Sequence, residues 1–187
     1  MKKIFLLFVI TVLLVACGNN DKVVLRDSIG KINKVLVVTK SSDWEGSLGK
    51  EIRNSFGELM VGLPQPESTL SVSQVAPNGF GTMMRVSRNI LVIGIGDEEK
   101  FFVKNNIYSQ PQTVIYVYAK DDEGVVKMFK KHEKEIIKTF IQSDINRTQS
   151  LFRKNKLDDT QFKTLQKLGI SLTIHDKFNT VDDTGEF

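Results

Sequence analysis

Val35-Leu36-Val37-Val38-Thr39 carries apolar, mostly β-branched side chains on both faces, and a strand of that kind is stable only inside a sheet with packing above and below it. It commits the chain to a layered fold. Asn89 to Ile95 and Thr113 to Tyr118 have the same character, and Leu70 to Val75 alternates apolar residues with Ser or Gln as a half-buried strand does.

Helices must supply the other layers. Ser42 and Glu45 have the spacing of a capping box, and Leu48, Ile52, Phe56 and Leu59 recur at helical spacing, predicting a helix from about Asp43 to Met60. The prolines of Gly62-Leu63-Pro64-Gln65-Pro66-Glu67 end it, since proline lacks an amide donor and restricts the residue before it. Pro77 to Met84 reads as a short helix or loop. The longest helical signal runs from about Asp122 to Asn155, with Val125, Val126, Phe129, Ile136, Ile137 and Phe140 on one face and Lys127, Lys131, Lys134 and Lys138 on the other. Ile141, Ile145 and Phe152 drift off that stripe, which predicts a break near Ser143 and two consecutive helices. A short helix over Asp158 to Leu168, stopped by Gly169, and a strand over Ile170 to Ile174 complete the pattern. The expected fold class is α+β: a mixed sheet of about four to five strands, helices packed on it, and one long amphipathic helical region.

The N-terminus reads differently. Lys2 and Lys3 precede an apolar run from Ile4 to Ala16, interrupted only by Thr11. That is short for a permanent membrane span and suits the core of a signal peptide. Leu14-Val15-Ala16-Cys17 is similar to a bacterial lipobox, so cleavage is expected between Ala16 and Cys17, with acyl chains added to the chain's single cysteine. Each buried methylene contributes roughly 0.8 kcal/mol and two or more chains anchor stably, so the expected partner of this end is a membrane. A lone cysteine also excludes an intrachain disulfide. The organisation expected is a signal peptide over 1–16, the lipidated cysteine and a flexible tether over 17–33, one α+β domain over 34–175, and a polar, disordered tail over 176–187. Just after the cysteine, Gly18 to Lys22 holds only Asp21 as an acidic residue, so the expected location is the outer membrane facing the periplasm, with surface display as the alternative. The formal charge of +4 includes Lys2 and Lys3, so the cleaved chain carries about +2. Such a near balance gives no support to a nucleic-acid partner.

Chemical motifs are sparse. Gly94-Ile95-Gly96 ends a strand, but Asp97, Glu98 and Glu99 follow where a phosphate would need positive potential, so it reads as a turn. His132 and Glu135 are three apart on a helix with no second ligand pair to complete a metal site. No nucleophile elbow is present. Neither a metal nor a cofactor is expected. Trp44 beside the proline-bracketed loop Leu63, Pro64, Gln65, Pro66 and Glu67 is the first candidate binding surface, because proline reduces the entropy lost on binding.

Trp44-Glu45-Gly46, Leu63-Pro64-Gln65-Pro66-Glu67, Arg88-Asn89-Ile90-Leu91-Val92 and Gln110-Pro111-Gln112, in that order behind a lipobox, resemble the envelope lipoproteins of Bacteroidetes grouped as domain of unknown function 4837. The resemblance covers Val35 to about Ile174, and members usually continue further, so the chain looks shortened at its C-terminus. It implies lipidation at Cys17 and an α+β domain, and brings no established activity. The function expected is that of a membrane-anchored, non-enzymatic module binding an unknown protein or glycan, or maintaining the envelope. Two alternatives stand beside it: a hydrolase of an envelope polymer using carboxylates such as Glu45, Glu67 or Asp97, and a structural subunit of an envelope assembly.

Overall fold

The computed structural model describes residues 24–185. The signal peptide, Ala16, Cys17 and the first tether residues lie outside them. The fold is α+β. Among the described residues seven strands form: β1 (Arg26–Asp27), β2 (Lys34–Val38), β3 (Ser71–Val75), β4 (Asn89–Ile95), β5 (Lys100–Asn105), β6 (Ser109–Gln110) and β7 (Thr113–Ala119). The main sheet has the order β3-β2-β4-β7-β5, in which β5 alone is antiparallel, and β1 pairs with β6 in a two-stranded ribbon.

One face of this sheet holds the main core. Val35, Val37, Leu91, Ile93, Ile115 and Val117 point from it into two helices, α2 (Ser47–Phe56) and α4 (Asp122–Lys154). Leu48, Ile52 and Phe56 answer from α2, and Val125, Met128, Phe129, Ile136 and Phe140 from α4. Asp121 caps α4 by accepting from the Gly124 amide. The lysines of the α4 stripe are all exposed, and none of the described helices is long and apolar enough to cross a membrane.

Several expectations need correction. The helix foreseen over Asp43 to Met60 is two: α1 (Ser41–Glu45) ends at Gly46 and α2 runs only to Phe56. The break falls at Gly46, whose backbone is extended, and it brings the Trp44 carbonyl oxygen to within 1.8 Å of where a Cβ on Gly49 would lie, a place only glycine can occupy. No capping box forms, since Ser42 lies inside α1 and its hydroxyl contacts Asp43. The long helix does not break near Ser143. Its inward stripe continues through Asp144 and Arg147 rather than Ile145, which stays exposed, so no kink is needed. Residues Ile170 to Ile174 form no strand, although Leu157 donates to the Ile174 carbonyl and Lys156 bridges His175.

The remaining pieces are short. α3 (Thr82–Arg85) follows a 3-10 turn at Pro77–Gly79. α5 (Lys163–Leu168) stops at Gly169, whose φ of 64° is the left-handed conformation glycine adopts freely. Asp183 reaches back from the C-terminal segment to accept from the Lys163 and Thr164 amides. At the other end the chain is held from Arg26 onward, through β1, the Ile29–Ser87 bridge and the Asn33 amide.

Candidate binding face

A largely parallel sheet normally has helices on both faces. Here, among the described residues, no long helix packs on the second face, which carries only short connections and α3. Leu36, Val38, Ile90 and Val114 are buried on it beneath Phe80, Ile107 and Tyr108, which come from the β3–β4 and β5–β6 connections. The cover stops halfway along the strands. Beyond it the register places Val92 opposite Tyr116 and Gly94 opposite Tyr118, with Phe102 and Lys100 of the edge strand on the other side.

The result is a row of half-buried rings. Phe102 stacks on Tyr116 at 4.7 Å between centroids, and Tyr116 lies 6.3 Å from Tyr118. Gly94 leaves open space beside Tyr118, because a Cβ there would meet nothing within 4 Å. Lys104 lies 5.5 Å from the Phe102 ring centre, and Arg85 sits over Phe80 and Tyr108 at 5.5 and 5.2 Å. Burial raises the pKa of the Tyr116 hydroxyl above the ordinary tyrosine value, helped by its hydrogen bond with Tyr108. Burial does the same for Tyr118, with Tyr108 adding to it. The Tyr116 and Tyr118 hydroxyls are therefore neutral at physiological pH, available as donors and acceptors at the edge of an apolar surface.

Two buried polar ties hold this face in shape. Gln112 donates to the carbonyls of Arg85 and Ser87 at 2.6 and 2.7 Å while accepting from the Tyr108 amide at 3.0 Å, so one side chain pins both covering segments. At the start of β4, fully buried Asn89 donates to Asp144 at 2.9 Å and accepts from Arg147 at 2.7 Å. Asp144 also accepts from the Asn33 amide, and Arg147 donates to Ser143, which bonds Thr113 at the start of β7. Burial lowers the Arg147 pKa; Asp144 opposes this and nearby Arg88 adds to it. α4 is thus latched to three strands where they begin.

The residues singled out from sequence are not brought together. Trp44 stands before α2, half-buried on the core, with the Arg53 guanidinium 4.7 Å from its ring centre and bonded to its carbonyl. Leu63, Pro64, Gln65, Pro66 and Glu67 are exposed in a hairpin after α2, closed by the Leu59–Ser68 bridge and the Met60 to Glu67 hydrogen bond. Ten helical residues, about 15 Å, separate the two. Glu45 and Asp97 are exposed near the strands' C-terminal ends, whereas Glu67 is exposed at the N-terminal end, so these carboxylates line no common cleft. His132 stacks on Phe101 at 4.0 Å and bonds Glu135, as a structural histidine does. Among the described residues no group of three or more His, Cys, Asp or Glu is placed to hold a metal. The aromatic face depends on β5, whose mark in the sequence is Lys-Phe-Phe-Val-Lys-Asn between two turn signals.

Fold and face together define a class: an α+β sandwich whose sheet is covered by helices on one side and offers an open aromatic surface on the other. The chain belongs to the family described as Domain of unknown function (DUF8532), whose pattern matches residues 28–153. That span takes in the whole sheet and nearly all of α4, and excludes the C-terminal segment. No curated protein and no solved structure matches the chain significantly.

Proposed function

We propose that this protein is a lipid-anchored module of the bacterial cell envelope, held by Cys17, whose domain binds an envelope glycan on its aromatic sheet face. The observation that carries the reading is the half-exposed row Phe102, Tyr116, Tyr118 on a sheet face without a helix layer. A pyranose has one apolar C–H face and a rim of hydroxyls. Aromatic rings match the first and tyrosine hydroxyls the second. An open platform, rather than a deep cavity, suits a polymer that passes across it. The lipobox-like Leu14 to Cys17 and the resemblance to envelope lipoproteins support the location, and the scattered carboxylates favour binding over hydrolysis.

The test is co-sedimentation with purified peptidoglycan sacculi and with lipopolysaccharide aggregates. Tyr118→Ala should weaken binding about five- to ten-fold, as expected for about 1–1.5 kcal/mol from one aromatic contact. Tyr118→Phe should retain most of it. Equal binding by wild type and Tyr118→Ala, with unchanged melting temperatures, would refute the reading. Cell fractionation with acyl-chain mass spectrometry on wild type and Cys17→Ala tests the anchor separately.

A further inference from the structure

The end of the domain where the parallel strands begin gathers three features. First, the chain enters there: β1 pairs beside the start of β7, and Asn33 bonds the latch residue Asp144. Only seven residue steps separate Val24 from Cys17, a reach of at most about 25 Å. Second, the hairpin following α2 hangs from this end with its apolar side chains outward, Val61 101% exposed, Leu59 56% and Leu63 44%. None of the three belongs to either hydrophobic cluster of the described residues. Third, the exposed cations Arg26, Lys31 and Lys34 lie on the entering chain, and Arg153, Lys154 and Lys156 lie where α4 overhangs the sheet. None of these makes an ion pair among the described residues. The opposite end is acidic, with Asp97, Glu98 and Glu99 after β4 and Asp121, Asp122 and Glu123 at the start of α4.

We propose that this basic, apolar end docks on anionic phospholipid headgroups, with Leu59, Val61 and Leu63 of the hairpin entering the bilayer interface. The inference rests on lipidation of Cys17, which brings the bilayer within reach. Cations are attracted to an anionic leaflet within a screening length, and apolar side chains leave water on entering it. The acidic end then points away from the surface, and Tyr118 and Lys100, placed toward it, remain open to a polymer. The lipid alone would leave the domain free to tumble on its tether. Docking fixes its orientation.

The test uses the lipidated protein in vesicles, where Cys17 has no free thiol and Val61→Cys supplies the single labelling site. An environment-sensitive dye at position 61 should shift to shorter wavelength and lose emission to a quencher carried on lipid chains. The same dye at Glu123→Cys should do neither. Both effects should be larger in phosphatidylcholine vesicles containing phosphatidylglycerol than in phosphatidylcholine alone, and should shrink in high salt. If the protein floats with the vesicles and the dye at position 61 behaves as in water, docking is overturned while the anchor stands. If the wild-type protein does not float and its Cys17 accepts the dye, the anchor fails and docking fails with it.

Discussion

Asp144→Ala should be among the most damaging single substitutions in this domain, and the latch geometry sets its magnitude. The Asp144 carboxylate accepts from the Asn33 amide and from Asn89, each at 2.9 Å, and faces Arg147 at 3.4 Å. Its side chain is 2% exposed and that of Arg147 10%. Alanine leaves a guanidinium with little access to water and no counter-charge, an Asn33 amide without its acceptor, and an Asn89 amide with only the Lys34 carbonyl at 3.4 Å. Breaking a buried pair from one side costs about 3–5 kcal/mol. Asp144→Asn keeps an acceptor and loses only the charge, so about 1–3 kcal/mol is expected. Adding Arg147→Met to Asp144→Ala should recover part of the loss, because the unpaired charge is then gone. Urea unfolding followed by far-ultraviolet circular dichroism reads all of these as midpoint shifts at constant slope. A cost below about 1 kcal/mol for Asp144→Ala, or no recovery in the double variant, would refute the latch as described.

Other consequences follow from particular contacts. Gly49→Ala should destabilise by at least the ~1–3 kcal/mol of an overpacked core, since its Cβ would fall 1.8 Å from the Trp44 carbonyl oxygen; thermal melting reads this directly. The raised pKa values of Tyr116 and Tyr118 give stability that is complete below the ordinary tyrosine value of 10.0 and is lost as pH rises through the folded values. Wild type should therefore lose stability in alkali faster than Tyr118→Phe, as followed by tyrosinate absorbance and melting temperature. The Asp183 pKa is lowered by the bonds it accepts from the Thr164 and Lys163 amides, so its cap on α5 holds above the ordinary value of 3.8 and is released as pH falls through the folded one. Those two amide resonances should titrate together in acid, and in Asp183→Asn they should not.

The strands that pack on both faces are legible because burial leaves no choice of residue there: Asn89 to Ile95 forms over the expected span, and the ends of the spans expected over Val35 to Thr39 and Thr113 to Tyr118 lie within a residue of those that form. Helix ends were less legible. The one that mattered, the break at Gly46, brings Trp44 onto Gly49 and leaves no signature beyond the glycines themselves. The continuity of α4 is hidden in the sequence for a different reason. Hydrophobic periodicity assumes an apolar inward stripe, whereas here it turns polar at Asp144 and Arg147, matched by Asn89 on the sheet. Tyr116 and Tyr118 were visible as alternate residues of a strand, but which sheet face goes uncovered is decided by where the helices dock. Trp44 and the proline loop drew attention as unusual residues; both prove to flank α2, at opposite ends.

Aromatic-selective nuclear magnetic resonance of the domain, titrated with soluble glycan strands from peptidoglycan and with lipopolysaccharide core oligosaccharide, tests the binding face most directly. Ring resonances of Phe102, Tyr116 and Tyr118 should shift together and saturably with one of these glycans, while Trp44 and Phe56, on the opposite side of the sheet, stay in place. Unchanged resonances at those three rings with every glycan, or shifts centred on Trp44 instead, would contradict the assignment of this sheet face as the site.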